Sequence, residues 1–527
     1  MREPLVVAVA AAGLGAAVLD GLGAGAHLRA HAVSLRTEIP KRPCRERRYD
    51  SLVTARPADD GAQGILGPAY LRLSVGIVSA VVFVAFESMA IATAMPKAVP
   101  ELDGMALYAF AFSAFFTTSL FAMVVSGELC DRKGPRLPLI LGTGAFTVGL
   151  LLAGSAQSMW PFLAGRAIQG LGGGLVIVAL YVVVGRAYPE RLRPKIFAAM
   201  AAAWVLPSII GPLVAGILTD ELSWRWVFLG IAPLVLIPVF LALPQAKALD
   251  GPPPGGASQR SGRKRFAAAA ALGVGLLQYA GSRADLLGLG VAVVALALMV
   301  PTVPKLLPPG TIALRRGLPT VVALRGIYAG AFFGTETFLP LLLVSERGMS
   351  STLAGLSLTG GALGWAAGSW YQGRTRTVAP RYLLVRAGGV FVAIAICLVA
   401  LTLVPAVPPV AVMLGWVIGA FGMGIATASM SVLLFQLSPV ADHGANSAAL
   451  QVSDALFTAT FVGLAGTIFG TGHAGDLAEA AVEHWVYLVI IGVMAALALF
   501  GAWAAGRVRT PPVATPSAPD QTAEPAA

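Results

Sequence analysis

The chain has 527 residues, 57% of them hydrophobic and 12% charged, with a mean hydropathy of +0.78 and a formal net charge of +11. No water-soluble fold can hide that much apolar surface, so lipid is the expected solvent. The positive charge is spread over short loops, which argues against a nucleic-acid-binding surface and for contact with anionic lipid.

Residues 1–69 fit a membrane pattern poorly. Leu5 to Leu19 is an apolar run too short to span easily, and an Arg-rich stretch from Arg29 to Arg56 follows it. This extension is expected to be disordered or mis-started, with an amphipathic or targeting segment as the alternative. A signal peptide would export those arginines against the charge rule for membrane orientation.

From Leu71 onward about fourteen apolar stretches each approach the ~20 residues that cross a hydrocarbon core as a helix. They fall near 72–95, 107–126, 136–155, 160–184, 195–219, 226–244, 266–282, 285–304, 319–344, 353–373, 381–404, 407–436, 445–470 and 484–506. Alternate connections hold twenty Lys and Arg residues, from Arg132, Lys133 and Arg136 through to Arg507 and Arg509. The other connections hold four, Lys97, Arg225, Arg283 and Arg347. That parity predicts an even number of spans, a multi-pass plasma-membrane protein, and both termini on the cytoplasmic side.

The Pro-, Gly-, Ser- and Arg-rich segment 246–265 reads as a cytoplasmic linker. It separates a six-helix half, 70–245, from an inserted helix pair, 266–305, and a second six-helix half, 306–508. Residues 509–527 read as a disordered tail. The expected fold class is therefore an all-α membrane protein of two six-helix halves plus an inserted hairpin, fourteen transmembrane helices in all. Gln278 is the one prominent polar residue of the inserted pair.

One echo links the halves: Glu87 in the first run and Glu336 in the ninth, each roughly 16 to 18 residues from the basic end of its helix. An ionised carboxylate at mid-membrane costs several kcal/mol against lipid, so it faces a cavity or a partner and marks function. Two readings stand side by side. Each glutamate carries a proton or a cation, or each is permanently paired with an arginine, for which Arg166 and Arg325 are available. Asp454, nearer the basic end within Gln451-Val-Ser-Asp454, is a further candidate.

Three motifs then carry a resemblance to the major facilitator superfamily. After the second run the chain reads Gly127-Glu-Leu-Cys-Asp131-Arg132-Lys133-Gly134-Pro135-Arg136, similar to the signature between the second and third helices of that superfamily. There Asp131 could meet a neighbouring helix N-terminus while the arginines pair with carboxylates or lipid phosphates, latching the cytoplasmic side. The fourth run contains Gly165-Arg166-Ala-Ile-Gln169-Gly170-Leu-Gly172-Gly173-Gly174, resembling a second motif whose buried arginine is implicated in proton transfer. An arginine keeps its proton in a protein, so its expected role is to favour the ionised form of a nearby carboxylate. The fifth run carries Pro207-Ser-Ile-Ile-Gly211-Pro212-Leu-Val-Ala215-Gly216, which resembles the motif associated with antiporters, with Pro207 and Ala215 where that pattern prefers Gly.

Together with Trp224-Arg225-Trp226-Val-Phe228 and the inserted pair, these features resemble the fourteen-helix drug:proton antiporter branch over residues 70 to 506. Its first-helix carboxylate is usually Asp, and Glu87 stands there instead. The resemblance implies a monomeric multidrug-efflux type transporter that exchanges protons for cationic or amphipathic small molecules. Dedicated export of a lipid, siderophore or metabolite is the alternative. It also implies a cavity between helices 1, 4, 5, 7, 10 and 11, with Met89, Met95, Gln169, Trp204, Tyr328, Phe332, Phe333 and Gln436 as lining candidates.

No cofactor or metal is expected. The five His residues, at 27, 31, 443, 473 and 484, avoid helix centres, and the three Cys residues are far apart in sequence, so an embedded enzyme is disfavoured. No phosphate-binding Gly-x-x-x-x-Gly-Lys-Ser/Thr loop occurs, which leaves the ion gradient, at ~2.3 kcal/mol per charge per 100 mV, as the energy supply.

Overall fold

The structure, a computed structural model, describes residues 64–189, 191–247, 249, 263–281, 286–374, 380–438, 443–471 and 484–508. Most of the extension, most of the linker and the tail discussed above lie outside those residues. Among the described residues there are helices and no strands, as required where lipid offers backbone groups no hydrogen bonds.

The first half comprises α1 (Leu71–Glu101), α2 (Tyr108–Lys133), α3 (Arg136–Gly154), α4 (Met159–Ala187), α5 (Arg193–Glu221), and a sixth run split into α6 (Arg225–Leu229) and α7 (Leu236–Lys247). The inserted pair is α8 (Arg263–Gly281) and α9 (Leu286–Leu306). The second half holds α10 (Leu318–Glu336), α11 (Leu339–Ser345), α12 (Ser351–Arg374), α13 (Arg381–Val399), α14 (Pro409–Leu437), α15 (His443–Thr471) and α16 (His484–Ala504). Every apolar run carries helix, and among the described residues eleven helical segments are long and apolar enough to cross a membrane, which makes this a multi-pass membrane protein. The count of fourteen spans is not reached on that measure. The sixth run is interrupted, α8 opens on Arg263-Lys264-Arg265, and α12 is rich in Gly and Ser.

Helix ends differ from expectation where polar residues continue a helix beyond its apolar stretch. α1 runs to Glu101 and is fixed there. Glu101 Oε2 accepts from Trp224 Nε1 at 2.8 Å and from Arg225 Nη1 at 2.9 Å, and the Arg225 guanidinium also lies 4.4 Å from the Trp224 ring. The Trp224-Arg225 step thus clasps the start of the sixth run to the end of the first.

Close backbone approach is what the glycines of α4 supply. A Cβ on Gly172 would stand 2.4 Å from Phe146 N and 2.5 Å from Gly142 O on α3, and one on Gly174 would stand 2.5 Å from Ser119 O on α2. In lipid, where hydrophobic burial drives no helix together, such contacts are the packing force.

The two halves meet along α2 with α15 and α5 with α12. Inserted helix α8 lies over the α2/α15 seam. Ala267, Ala270 and Val274 pack into one cluster with Leu120 of α2 and Leu456 and Ala459 of α15. Gln278 Nε2 donates to Ala459 O at 3.0 Å, in space left by Gly463, whose Cβ would lie 2.5 Å from the Gln278 side chain. The polar residue of the inserted pair is a docking bond. α9 is mostly lipid-facing, with Leu287, Leu289, Val293 and Val300 all more than half exposed.

Replacing Gly172 by Val should lower the thermal midpoint of the detergent-solubilised protein by several degrees, consistent with overpacking of about 1–3 kcal/mol. Gly144→Ala, where a Cβ meets nothing within 4 Å, should leave it unchanged. Equal midpoints for the two variants in a thermal-shift assay would contradict the packing role.

Candidate functional site

The first-half site is built on α1 and α4. Glu87 is fully buried and Arg166 is 2% exposed. Arg166 Nη1 donates to Glu87 Oε1 and, at 2.9 Å, to Gln169 Oε1, while Arg166 Nε donates to Ala111 O of α2 at 3.1 Å. Gln169 Nε2 donates to Glu87 Oε1 at 3.4 Å, and the Phe115 ring lies 4.9 Å from the guanidinium. Removing either charge would strand the other away from water. Glu87 Oε2 is buried with no hydrogen-bond partner, which leaves it as the oxygen free to take a proton. Of the two readings open at the sequence level, the arginine pairing is present for Glu87.

In the second half the carboxylate sits differently. Glu336 is the last residue of α10, where the helix breaks before resuming at Leu339. Its side chain is partly buried, and among the described residues it makes no hydrogen bond or ion pair. Arg325, offered as its partner, is committed elsewhere: Nε and Nη2 donate to Asp454 Oδ2 on α15 at 2.9 and 2.6 Å. Eleven residues of helix put about 16 Å between Arg325 and Glu336. α15 brings Asp454 to the depth of the arginine instead. The echo between Glu87 and Glu336 is thus one of position along the helix, while their surroundings differ: one is paired inside a continuous helix, the other unpaired at a helix break.

The lining candidates divide. Phe332 stacks on Trp416 of α14 at 4.5 Å between centroids, and Phe333 lies 6.3 Å from Trp365 of α12 and 6.5 Å from Phe116 of α2, across the seam between the halves. Phe116, Trp365 and Trp416 were not evident in the sequence, where aromatic residues in apolar helices carry no mark of their facing. Met89 is half-buried and faces Gly211; Trp204 is 36% exposed; Gln436, the penultimate residue of α14, is exposed. Three further candidates are buried. Gln169 is fully buried in the Arg166 network, Tyr328 is fully buried with its hydroxyl donating to Val385 O at 3.0 Å against Gly389 and Gly501, and Met95 lies in the core. Each meets its polar or apolar needs by packing, so none forms an open wall here.

The motif placed in the loop after the second run is largely helical. α2 continues through Gly127, Asp131 and Arg132 to Lys133, and only Gly134-Pro135 connects it to Arg136, the first residue of α3. Gly134 has φ 86°, a left-handed conformation that favours glycine. Arg132 lies 4.0 Å from Glu128 one turn back, and Asp131 makes no hydrogen bond or ion pair among the described residues; the segment leading into α15 lies outside them. In α5, Gly211 is only in ordinary contact with Phe86 and Met89, whereas Gly216 is sterically required, its Cβ falling 2.5 Å from Thr352 Cα. Pro212 leaves no space either, its carbonyl standing 2.8 Å from where a Cβ on Gly355 would be. The Gly211-Pro212-Gly216 surface of one half is thus seated on α12 of the other. It lies toward the end opposite the Gly134-Pro135 turn, where Tyr108 Oη of α2 also donates to Thr337 O at 2.9 Å. The halves are in contact at that end.

Residues 77–456 match the family model of the Major Facilitator Superfamily. The chain is 24% identical over 463 residues to a probable multidrug-efflux transporter of Mycobacterium tuberculosis, covering 83% of this chain and 96% of that protein. It is 31% identical to a multidrug transporter protein of Bacillus subtilis over 179 residues, 34% of this chain and 32% of the other, and 26% identical to a multidrug resistance protein of the same organism, 58% of this chain and 61% of that one. The chain thus spans less than two thirds of the length of these two Bacillus relatives. Among solved structures, a POT family transporter in complex with a thioalcohol-conjugated peptide is 14% identical with a TM-score of 0.62, covering 83% of this chain and 96% of that chain, a likeness of fold.

Because Arg166 is buried against Glu87, Arg166→Met alone should destabilise the protein by about 3–5 kcal/mol, while adding Glu87→Leu should recover much of that loss. Thermal unfolding of the two single variants and the double variant checks this. Additive losses would mean the pair does not bind the helices together.

Proposed function

The chain belongs to the major facilitator superfamily, and we propose that it is a proton-coupled antiporter that exports cationic or amphipathic small molecules by alternating access. The observation that carries this reading is Glu336, a carboxylate at the break between α10 and α11 without a partner among the described residues. A charge left alone away from water is costly, so such a group is neutralised by a proton or by a positively charged substrate. Competition between the two for one carboxylate is the elementary basis of exchange. Phe332 and Phe333 lie four and three residues before Glu336, and rings beside a carboxylate suit a cation with an apolar body. The names of the mycobacterial and Bacillus relatives agree with that class of cargo.

In the proposed cycle the contacts around Gly216 and Tyr108 close the outer side, while the cavity faces the cytoplasm. Glu336, with Glu87 as the second carrier, releases its proton inward and substrate binds. The halves then rock so that substrate leaves outward and a proton returns. Arg166 favours release of the Glu87 proton, and Arg325 with Asp454 holds α10 to α15 as the halves move. The split of Lys and Arg between alternate connections supports a reading with both termini cytoplasmic, and the proposed cycle needs one copy of the chain in the plasma membrane acting on a small molecule.

Inverted membrane vesicles given a pH gradient and a fluorescent cationic dye test this. Wild-type uptake should collapse with the gradient, and Glu336→Gln should reduce coupled uptake at least tenfold, with Glu87→Gln also impaired. No dye movement by the wild type would remove the multidrug reading and point to a dedicated lipid or metabolite. Transport insensitive to both substitutions would reduce the glutamates to structural groups.

A further inference from the structure

At the end where the halves touch, one carboxylate gathers three donors. Asp220, the penultimate residue of α5, accepts from Lys97 Nζ of α1 through Oδ1 at 2.7 Å, and Lys97 also reaches Thr219 O at 3.5 Å. Its Oδ2 accepts from Thr352 N at 2.9 Å and Thr352 Oγ1 at 2.6 Å. Thr352 is the second residue of α12, so an aspartate from the first half fills the capping position of a helix in the second half. α12 supplies a cap of its own only to the next donor, with Ser350 Oγ accepting from Leu353 N at 3.2 Å.

The chemistry suits a reversible closure. The first-turn N–H groups of a helix have no partners within it, and a carboxylate there gains from both the bond and the helix dipole. Asp220 keeps only 16% of its side chain exposed, while Lys97 keeps 43%, so the capping bonds are the sheltered part and the ion pair is the solvated part. Directly beneath lie two close approaches between the halves, Gly216 against the Thr352 backbone and Gly355 against the Pro212 carbonyl and the Thr93 side chain. Shape permits contact there, but nothing in glycine packing is lost sharply on separation. The Asp220 bonds are directional and are lost as soon as α5 and α12 part.

We propose that Asp220 is the latch of this end of the transporter, holding the halves shut through the N-terminus of α12, with Lys97 positioning its carboxylate. The inference rests on the alternating-access reading, since a latch matters only if the halves part here. None of Lys97, Asp220 or Thr352 belongs to the three motifs read from the sequence.

The test is a distance measurement on the full chain in lipid nanodiscs. Spin labels go on Trp160→Cys and Val410→Cys, which open α4 and α14 at this end and are 61% and 60% exposed, with Cys44, Cys130 and Cys397 replaced by Ser. Double electron–electron resonance then reads the short (closed) and long (open) populations. Asp220→Ala should raise the open-to-closed ratio about tenfold, as expected for losing charge-assisted bonds and a cap. Lys97→Met should raise it less, because the bonds to Thr352 remain. Thr352→Val removes the hydroxyl donor and keeps the N–H, and should raise the ratio about threefold. Gel filtration reports whether each variant is folded, and if Asp220→Ala is not, Thr352→Val decides alone. Distributions identical to the parent in the folded variants overturn the latch. No substrate or gradient enters the measurement, so a failure of dye transport leaves this result standing, and loss of the latch leaves proton exchange untouched.

Discussion

A guanidinium cannot shed its proton and cannot stay alone in a water-poor interior, and Arg166 at 2% exposure brings that constraint to the centre of the first half. Its bonds to Glu87 on α1, to Gln169 on its own helix and to the Ala111 carbonyl on α2 tie three helices at one depth. The glycines of α4 then let α2 and α3 approach backbone to backbone around that point. Packing and charge compensation are one arrangement here, because the same helix supplies the buried cation and the small residues that let its neighbours reach it.

The second half solves the same problem by other means. Its arginine is displaced toward the basic end and satisfied by Asp454, so α10 carries Glu336 to its break without a hydrogen-bond or ion-pair partner among the described residues. The two halves of a superfamily transporter need not be charge-symmetric. An asymmetry of this kind leaves one carboxylate held by a buried arginine and one without a partner among the described residues. The inserted helices lie outside this division. α8 covers the seam of α2 and α15 through alanines and one glutamine bond, and α9 faces lipid.

Much of the architecture is legible in sequence because lipid leaves few options. Apolar runs of sufficient length are helices, and the three motifs identify the superfamily that the family model matches. Errors arise where a helix continues through polar residues, as at Glu128 to Lys133, or stops within an apolar run, as at Thr337-Phe338. Of the site, Glu87 with Arg166 was available from the rarity of charge in such helices. The roles of Gln169 and Tyr328 were not, because a polar residue in an apolar helix looks the same whether it lines a cavity or satisfies a neighbour. Phe116, Trp365 and Trp416 left no signal for the same reason.

The sequence by itself determined the solvent, the helices, the superfamily and which residues must be expensive to place, since each follows from composition and local spacing. Only the tertiary structure decided how that expense is met: Arg325 goes to Asp454 and away from Glu336, and Asp220 caps a helix 132 residues later in the chain. Both outcomes depend on which helices lie side by side and at what depth. Spacing along one helix constrains a side chain's height and facing but carries no information about the neighbour that faces it.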